Sequence, residues 1–426
     1  MAKKLLDDCF LHDADRLRHD DAIALLADRI KPIATTETIP LANAAGRILA
    51  SPAVAIRPVP LHTNAAVDGY AFEQIPTGAT EDQVLPLEGR AAAGHPLEGT
   101  IKPGHAARIF TGAVLPSGTN TVVMQEDVET VSHGGNECVR IPKGLKQGAN
   151  VRQAGEDVEQ GHELFAPGDR LRPQDLAALA SIGLGQVDCY KPIRVGIVST
   201  GDEIVRAGER PLQLGEVYDA NAPMLNALSK NTGASVSDLG IWPDDAAVVQ
   251  TNLKSAAQDY DVLLTSGGAS RGEEDHMVSA LDAIGKRHIW QLAVKPGRPM
   301  TFGQINDTIM VGLPGNPVAV FVCFLMYVAP MLSRLAGAEW KDPRRYMLPA
   351  AFDMPKRKTG RREFLRGFVQ TSDGSMKVAK FPRDGSGLIS GLRAADGLID
   401  IPEDTPKVSP GDSVAFIPFT EFGIVV

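Results

Sequence analysis

Four short segments carry residues suited to hold a phosphate or another oxyanion. They are Ser199–Glu203 (STGDE), the Pro243-Asp244-Asp245 turn, Thr265–Asp275 (TSGGASRGEED) and Leu313–Pro317 (LPGNP), the last preceded by Val294–Pro299 (VKPGRP). Small residues let backbone amides approach an anion closely, and a helix starting after such a turn directs its positive end to the same place. Ser266, Gly267, Gly268 and Ser270 form the best cradle. Ser199 and Gly201 belong to the first segment, and Pro314, Gly315, Asn316 and Pro317 to the last. Lys295 and Arg298 add positive charge. Asp244 and Asp275, with Glu203, are placed to hold a hard cation such as Mg²⁺ between carboxylates and phosphate oxygens. Singly, each segment is weak evidence, because Gly-Gly turns are common and carboxylates at loop ends often only cap helices. Four such ends converging in one sheet predict an anion and metal site, without a reaction.

The N-terminal half carries a second set. Asp68 lies in NAAVDGYA, Thr111 opens TGAVLPSGTNTVVMQED, and Asp157 closes RQAGED. Taken one at a time these read as a turn, a hairpin with a polar edge and a loop salt bridge.

The elements that position these residues follow from periodicity. Residues 20–30 place Ile23, Leu26, Ala27 and Ile30 on one helical face, and a short helix is expected over 41–49. From about Val54 to Pro142, β-branched runs cut by Gly and Pro predict an all-β, barrel-like module. A helix is expected over 172–183, stopped by Gly183. From Pro192 strands alternate with helices: RVGIVST, a helix at 222–231, ASVSDLGIW, a helix at 244–258, YDVLLTSGG, a helix at 275–284, a strand at 289–294, TIMVGLP and an apolar helix at 317–328. That rhythm predicts a parallel α/β sheet with helices on both faces and ligands at the carboxyl ends of its strands. After about residue 340, short strands return as a C-terminal β domain.

Composition narrows the partners. The 426 residues carry a net charge of −9, which argues against a nucleic-acid binder but not against a small anion held by a local cluster. The 42 glycines and 30 prolines imply a turn-rich chain. Cys9, Cys138, Cys189 and Cys323 are scattered, with neither a redox pair nor a zinc ribbon, as suits a reducing cytosol. The apolar run Val318 to Leu332, broken by Pro330, falls short of the roughly 20 residues of a membrane span. The start of the chain turns acidic too early for a secretory signal. No membrane partner is expected.

Read together and in order, N-x-A-x-D-G-Y-A, T-G-A-x-x-P-x-G, R-x-x-G-E-D, S-T-G-D-E, S-G-G…G-E-x-D, K-P-G-x-P and G-L-P-G-N-P resemble the molybdopterin molybdenumtransferase family. This is the bacterial MoeA type, similar to the E domain of gephyrin, and the likeness runs from about residue 15 to 420. The resemblance implies a cytoplasmic homodimer of elongated four-domain subunits. It implies a discontinuous domain over 15–60 and 149–190, a β module over 61–148, a molybdopterin-binding α/β domain over 191–336 and a C-terminal β domain over 340–426. The implied reaction inserts molybdate into adenylylated molybdopterin and releases AMP, with Mg²⁺ or another divalent cation. Asp68, Thr111, Asp157, Glu203, Asp244 and Asp275 fall on the family's catalytic positions, with Asp68 coming from the other subunit. Lys295, Arg298 and Pro314–Pro317 fall on its anion-binding turns, and molybdate suits Arg298, Ser266 and either Arg362 or Arg366 in GRREFLRG. Molybdopterin adenylyltransferase and molybdoenzyme acceptors are the partners the resemblance implies.

The chain departs from the family pattern at Ala65, Arg271, His276 and Arg298, the last replacing a usual Lys with a planar fork. Two other readings stand beside the leading one. An adenylyltransferase would use the same α/β domain but not the β modules, and a scaffold would bind without turnover.

Overall fold

The computed structural model describes residues 16–76, 79–267, 276–290, 292–297, 300–372 and 374–425. Its centre is a six-stranded sheet in the order 235–242, 194–200, 262–266, 308–313, 300–305, 286–290. The first four strands are parallel. Strands Val262–Ser266 and Thr308–Leu313 are buried at every position, which explains their unbroken apolar runs. The expectation of a wholly parallel sheet needs correction, because the last two strands run antiparallel. Met300–Ile305 turns into Thr308–Leu313 through two residues, with Asn306 at φ 53. Asn tolerates that left-handed geometry, and a two-residue turn joins antiparallel neighbours. The strand expected at 289–294 is Lys286–Trp290 instead.

Helices cover both faces. Helices α3 (Asn221–Asn231) and the long core helix Pro317–Leu335 pack with Val195, Ile197, Leu264 and Val311 on one face. Helices α4 (Ala246–Asp259) and α5 (His276–Ile284) pack Val249, Leu253, Met277 and Leu281 on the other. The core helix continues past the expected end at 328. A π turn over Phe324–Val328 leads into the segment that contains Pro330. A wider turn accommodates a proline that removes one helical donor. The helix is long and apolar enough to cross a membrane, yet most of it is buried inside the protein.

A small domain is built from two distant stretches. Strand Thr36–Pro40 pairs antiparallel with Gln186–Tyr190, and α2 (Pro173–Ser181) contributes Leu179 to a core with Ala44, Leu49 and Leu171. The helix expected over 41–49 is only a 3₁₀ turn, Leu41–Asn43. The first helix, α1 (His19–Arg29), does not join this domain. Ala22, Leu26 and Ile30 pack into the α/β core, where the core helix also lies.

The β module is a six-stranded open ladder, a half-barrel with Thr121–Met124 and Glu129–His133 at its edges. Its two faces carry separate cores, one around Phe72, Val123 and Ile141, the other around Ala71, Ile109 and Val122. The C-terminal domain holds another six-stranded sheet, and one of its strands is borrowed. Val294–Lys295, from the α/β segment, pairs parallel with Arg362–Glu363. The K-P-G segment is thereby stitched into the C-terminal domain.

Candidate active site

The strand register brings the predicted turns together. Ser199 lies opposite Ser266, and Ser266 opposite Leu313, all at carboxyl ends of parallel strands. Gly267 adopts φ +92 and donates its N–H to the Leu313 carbonyl at 3.0 Å. A Cβ on Gly201 would fall 2.4 Å from Glu203 Oε2, so the Glu203 carboxylate folds back over the glycine. Asp244 is exposed beyond strand 235–242, while its neighbour Asp245 caps α4 through Val248 N–H at 2.9 Å. His276 Nε2 stands 3.8 Å from Asp244 Oδ1. Gly268, Ser270, Asp275 and Arg298 lie outside the described residues, as does Arg271.

Ser199 does not act as the sequence suggested. It is 1% exposed, and its hydroxyl donates to Asp219 Oδ2 at 2.5 Å. Asp219 Oδ2 also accepts from Arg206 at 2.8 Å, and Asp219 Oδ1 accepts from the Asn221 and Ala222 N–H groups. A buried carboxylate requires such full pairing. The Ser199 hydroxyl is therefore spent on the scaffold beneath the site. Asp219, Asn221 and Arg206 were missed because YDANAP shows no motif beyond a helix start.

The second feature is a cavity of about 380 Å³ between the α/β and C-terminal domains. Lys295, Arg361, Arg366 and Lys380 line it against one carboxylate, Asp384, and Pro314 and Asn316 close its α/β side. Behind it, the buried Glu363 faces Lys295 at 3.4 Å and Arg357 and Arg361 at 3.5 Å. Two carboxylates, Glu363 and Asp384, against the five cations Lys295, Arg357, Arg361, Arg366 and Lys380 leave surplus positive charge, which suits a small dianion. Arg366 stacks on Phe381 and donates to the Leu388 and Arg383 carbonyls, each at 2.8 Å. Arg366 itself is 7% exposed, and burial lowers its pKa. Gly297 is seated on Cys323, where a Cβ would approach Sγ to 2.8 Å.

Arg362 corrects the sequence reading. Its guanidinium is bound to the fully buried Asp400 at 2.6 Å and to Asp20 at 2.7 Å. It belongs to the seam between α1 and the C-terminal domain, away from the cavity. Arg361, which the sequence reading passed over, lines the cavity instead.

The half-barrel holds the other predicted residues. Asp68 Oδ1 accepts from both the backbone N–H and the hydroxyl of Thr111, each at 2.8 Å. These two bonds, the backbone one first, hold the Asp68 carboxyl below the usual carboxylate range, with a smaller contribution from Arg108. Arg108 stacks on Tyr70 and Phe110 and donates to the Gly69 carbonyl at 3.3 Å, beneath the Asp68 turn. Strand 64–65 carries residues 112–113 on one side and 150–152 on the other. Asp157 is exposed in the loop that follows. Among the described residues, the hydrogen bonds of 61–148 run within the module or to residues 149–158.

No group of three metal-ligating side chains occurs among the described residues. Asp244 N–H does reach Asp202 Oδ1 at 3.5 Å, which brings two acidic residues together past the carboxyl ends of adjacent strands. Mg²⁺ commonly uses only one or two protein carboxylates, with phosphate oxygens and waters completing its shell. The donor set fits that mode and does not form a closed protein cage.

Three family profiles cover the chain in sequence: the MoeA N-terminal region (domain I and II) over 17–183, a probable molybdopterin binding domain over 196–334, and the MoeA C-terminal region (domain IV) over 347–419. A Haemophilus influenzae molybdopterin molybdenumtransferase is 35% identical over 402 residues, covering 94% of this chain and 98% of that protein. A Mycobacterium tuberculosis molybdopterin molybdenumtransferase 2 is 32% identical over 404 residues, covering 92% and 96%. The crystal structure of a molybdopterin biosynthesis MoeA protein from Pyrococcus horikoshii superposes with a TM-score of 0.80 at 28% identity, covering 95% of this chain and all of that one. With the half-barrel, the α/β strand ends and the stitched C-terminal sheet all accounted for, this chain belongs to the MoeA family of molybdopterin molybdenumtransferases.

Proposed function

We propose that this protein inserts molybdate into adenylylated molybdopterin and releases AMP. The observation that carries the reading is the cation-lined cavity that opens against Pro314 and Asn316 of the phosphate-type turn. A dianion held by Arg366, Arg361, Lys380 and Lys295 lies beside a place where a pyrophosphate can meet backbone amides. Two Mo–S bonds replace two Mo–O bonds. The displaced oxygens leave as water with the two thiol protons and the two protons that hydrolysis of the phosphoanhydride releases. One water is consumed at the phosphoanhydride, so the net release is one water and one AMP. The cations and amides stabilise charge that develops on the phosphoryl oxygens. Mg²⁺ would be held by carboxylates, Asp244, Asp275 and Glu203 in this reading, and would supply charge neutralisation at the phosphates.

Asp68, Thr111 and Asp157 belong to the same reaction in this reading, delivered by the half-barrel of a second copy in a homodimer. Thr111 and Asp157 are exposed and Asp68 is half-buried beside Thr111, and with the module's self-contained hydrogen bonding this supports delivery to another surface. Substrate supply requires a molybdopterin adenylyltransferase and the product requires molybdoenzyme acceptors. A cytoplasmic setting fits the free cysteines Cys138, Cys189 and Cys323.

The test is AMP release from adenylylated molybdopterin with and without molybdate. Release that depends on molybdate supports the reading. ATP consumption with molybdopterin, and no molybdate-dependent AMP, overturns it in favour of an adenylyltransferase. Asp244→Asn and Asp275→Asn are expected to abolish turnover in folded protein. Full activity in both removes the metal role.

A further inference from the structure

Asn221 starts α3 and is 9% exposed. Its side-chain amide donates to the Gly315 carbonyl at 2.8 Å, across 94 residues of chain. Its own N–H is held by Asp219 Oδ1 at 3.0 Å, and Asp219 is fixed in turn by Ser199 and Arg206. The other end of the same side chain tells a different story. Asn221 Oδ1 is buried and has no hydrogen-bond partner. A buried orphan oxygen costs stability, and a leucine or serine would avoid that cost. The structure keeps an asparagine whose amide holds a single carbonyl.

That carbonyl matters because of peptide planarity. The Gly315–Asn316 bond is not among the cis peptides. In a trans peptide the C=O and the following N–H point in opposite directions. Holding the Gly315 oxygen on Asn221 therefore aims the Asn316 N–H away from α3. Asn316 lines the cavity, and a Cβ built on Gly315 meets nothing within 4 Å, so the turn faces open space. We infer that Asn221 is a positioning residue, which locks the Gly315–Asn316 peptide so that its N–H serves the anionic end of the substrate.

This inference rests on the reading of 314–317 as the anion turn, and two variants separate them. Gly315→Val adds bulk only into the open space, so it tests the turn itself. Asn221→Ala tests the lock. AMP, the leaving group of the proposed reaction, is the binding probe, measured by calorimetry alongside steady-state kinetics with adenylylated molybdopterin. Asn221→Ala is expected to weaken AMP and raise KM by about tenfold, the loss of one oriented hydrogen bond, with kcat changed less than about threefold. Its Tm is expected to stay within about 3 °C, because the lost bond is offset by removal of the orphan oxygen. Asn221→Ser, whose hydroxyl retains a donor, is expected to recover part of the affinity. A lower Tm with unchanged KM and AMP affinity overturns the inference and leaves Asn221 structural. If Gly315→Val also binds AMP normally, the turn reading fails. If Gly315→Val loses AMP while Asn221→Ala does not, only the positioning role fails.

Discussion

The α/β strand ends and the half-barrel hold their functional groups by opposite means. At the strand ends, polar groups are fixed by burial and by networks several bonds deep, from Ser199 through Asp219 and Asn221 to Gly315. At the half-barrel, Asp68 sits near the surface and is fixed by two bonds from a single residue, Thr111. The first arrangement makes a positively charged receptor whose geometry is set by the core. The second makes a charged tip that is ordered but still free to meet another surface. Burial perturbs cations in the first region, and hydrogen bonding perturbs a carboxylate in the second. Variants should therefore fail differently on the two sides.

The largest expected effect is on the buried side. Arg366→Ala removes a cavity cation together with two bonds that hold the loop of residues 383–388. Molybdate-dependent AMP release should fall by roughly 10³-fold, the upper range for a preorganised donor. Arg366→Lys keeps the charge but not the fork, and should fall between that variant and the natural protein. Equal activity of the Lys and natural forms would show that charge alone, without geometry, serves the cavity.

A second test of the buried region concerns His19, which is 1% exposed and shares a 2.8 Å hydrogen bond with Tyr327. Burial lowers its pKa to about 4, helped by Arg362 and opposed by Asp400 and Asp20. The folded state thus binds a proton less readily than the unfolded state, whose histidine titrates near 6.5. The stabilising difference is present above pH 6.5 and is lost as pH falls toward 4. Between pH 7 and 5 the protein should lose about 2 kcal/mol through this group. His19→Gln, which cannot titrate, should flatten that part of a urea-denaturation series. An unchanged slope would place the acid sensitivity elsewhere.

These contrasts explain what was legible in the sequence. Helices α3, α4 and α5 and the strands RVGIVST and TIMVGL could be read, because burial on one face or two leaves periodic or continuous apolar runs. Strand 300–305 was missed because the chain around VKPGRP looked like loop throughout, and only the Asn-Asp turn at 306–307 hinted at a hairpin. The anion turns were legible as motifs, but their support was not. Nothing local marks Asn221 as the residue under Gly315, 94 positions away. Arg362 was misread for a related reason. Asp400 lies inside the apolar strand GLIDI, fully buried, and a carboxylate there must claim its cations. It claims Arg345 and Arg362, and leaves Arg366 for the cavity. The lone acid in an apolar strand was the available signal.

On the half-barrel side, Asp68→Asn keeps the size of the side chain and most of its contact with Thr111 but removes the charge. Turnover should fall about 30-fold, with the fold intact by circular dichroism, if the carboxylate meets the reacting phosphates across a dimer. A dimer that reassembles from Asp68→Asn and Asp244→Asn subunits should regain activity at one of its two sites. Failure of the mixed dimer, with both parents dimeric, would mean that each subunit uses its own Asp68.

Thr111→Val is the smallest change and isolates the surface clasp. It deletes the hydroxyl bond to Asp68 but leaves the backbone bond, which is the larger cause of the lowered pKa. Turnover near neutral pH should drop only about threefold, in line with the loss of one hydrogen bond at an exposed site. The acid side should respond more clearly. With Asp68 held below its ordinary value, its charged form survives as pH falls until the folded pKa is reached. Removing the hydroxyl raises that pKa, so the acid limb of the activity profile should move to higher pH. In the Asp68→Asn background, Thr111→Val should add almost nothing, because the hydroxyl then has no charge to stabilise. A full additional loss in the double variant would show that Thr111 touches substrate itself, and that the tip of the half-barrel is a two-residue site and not a carboxylate with its holder.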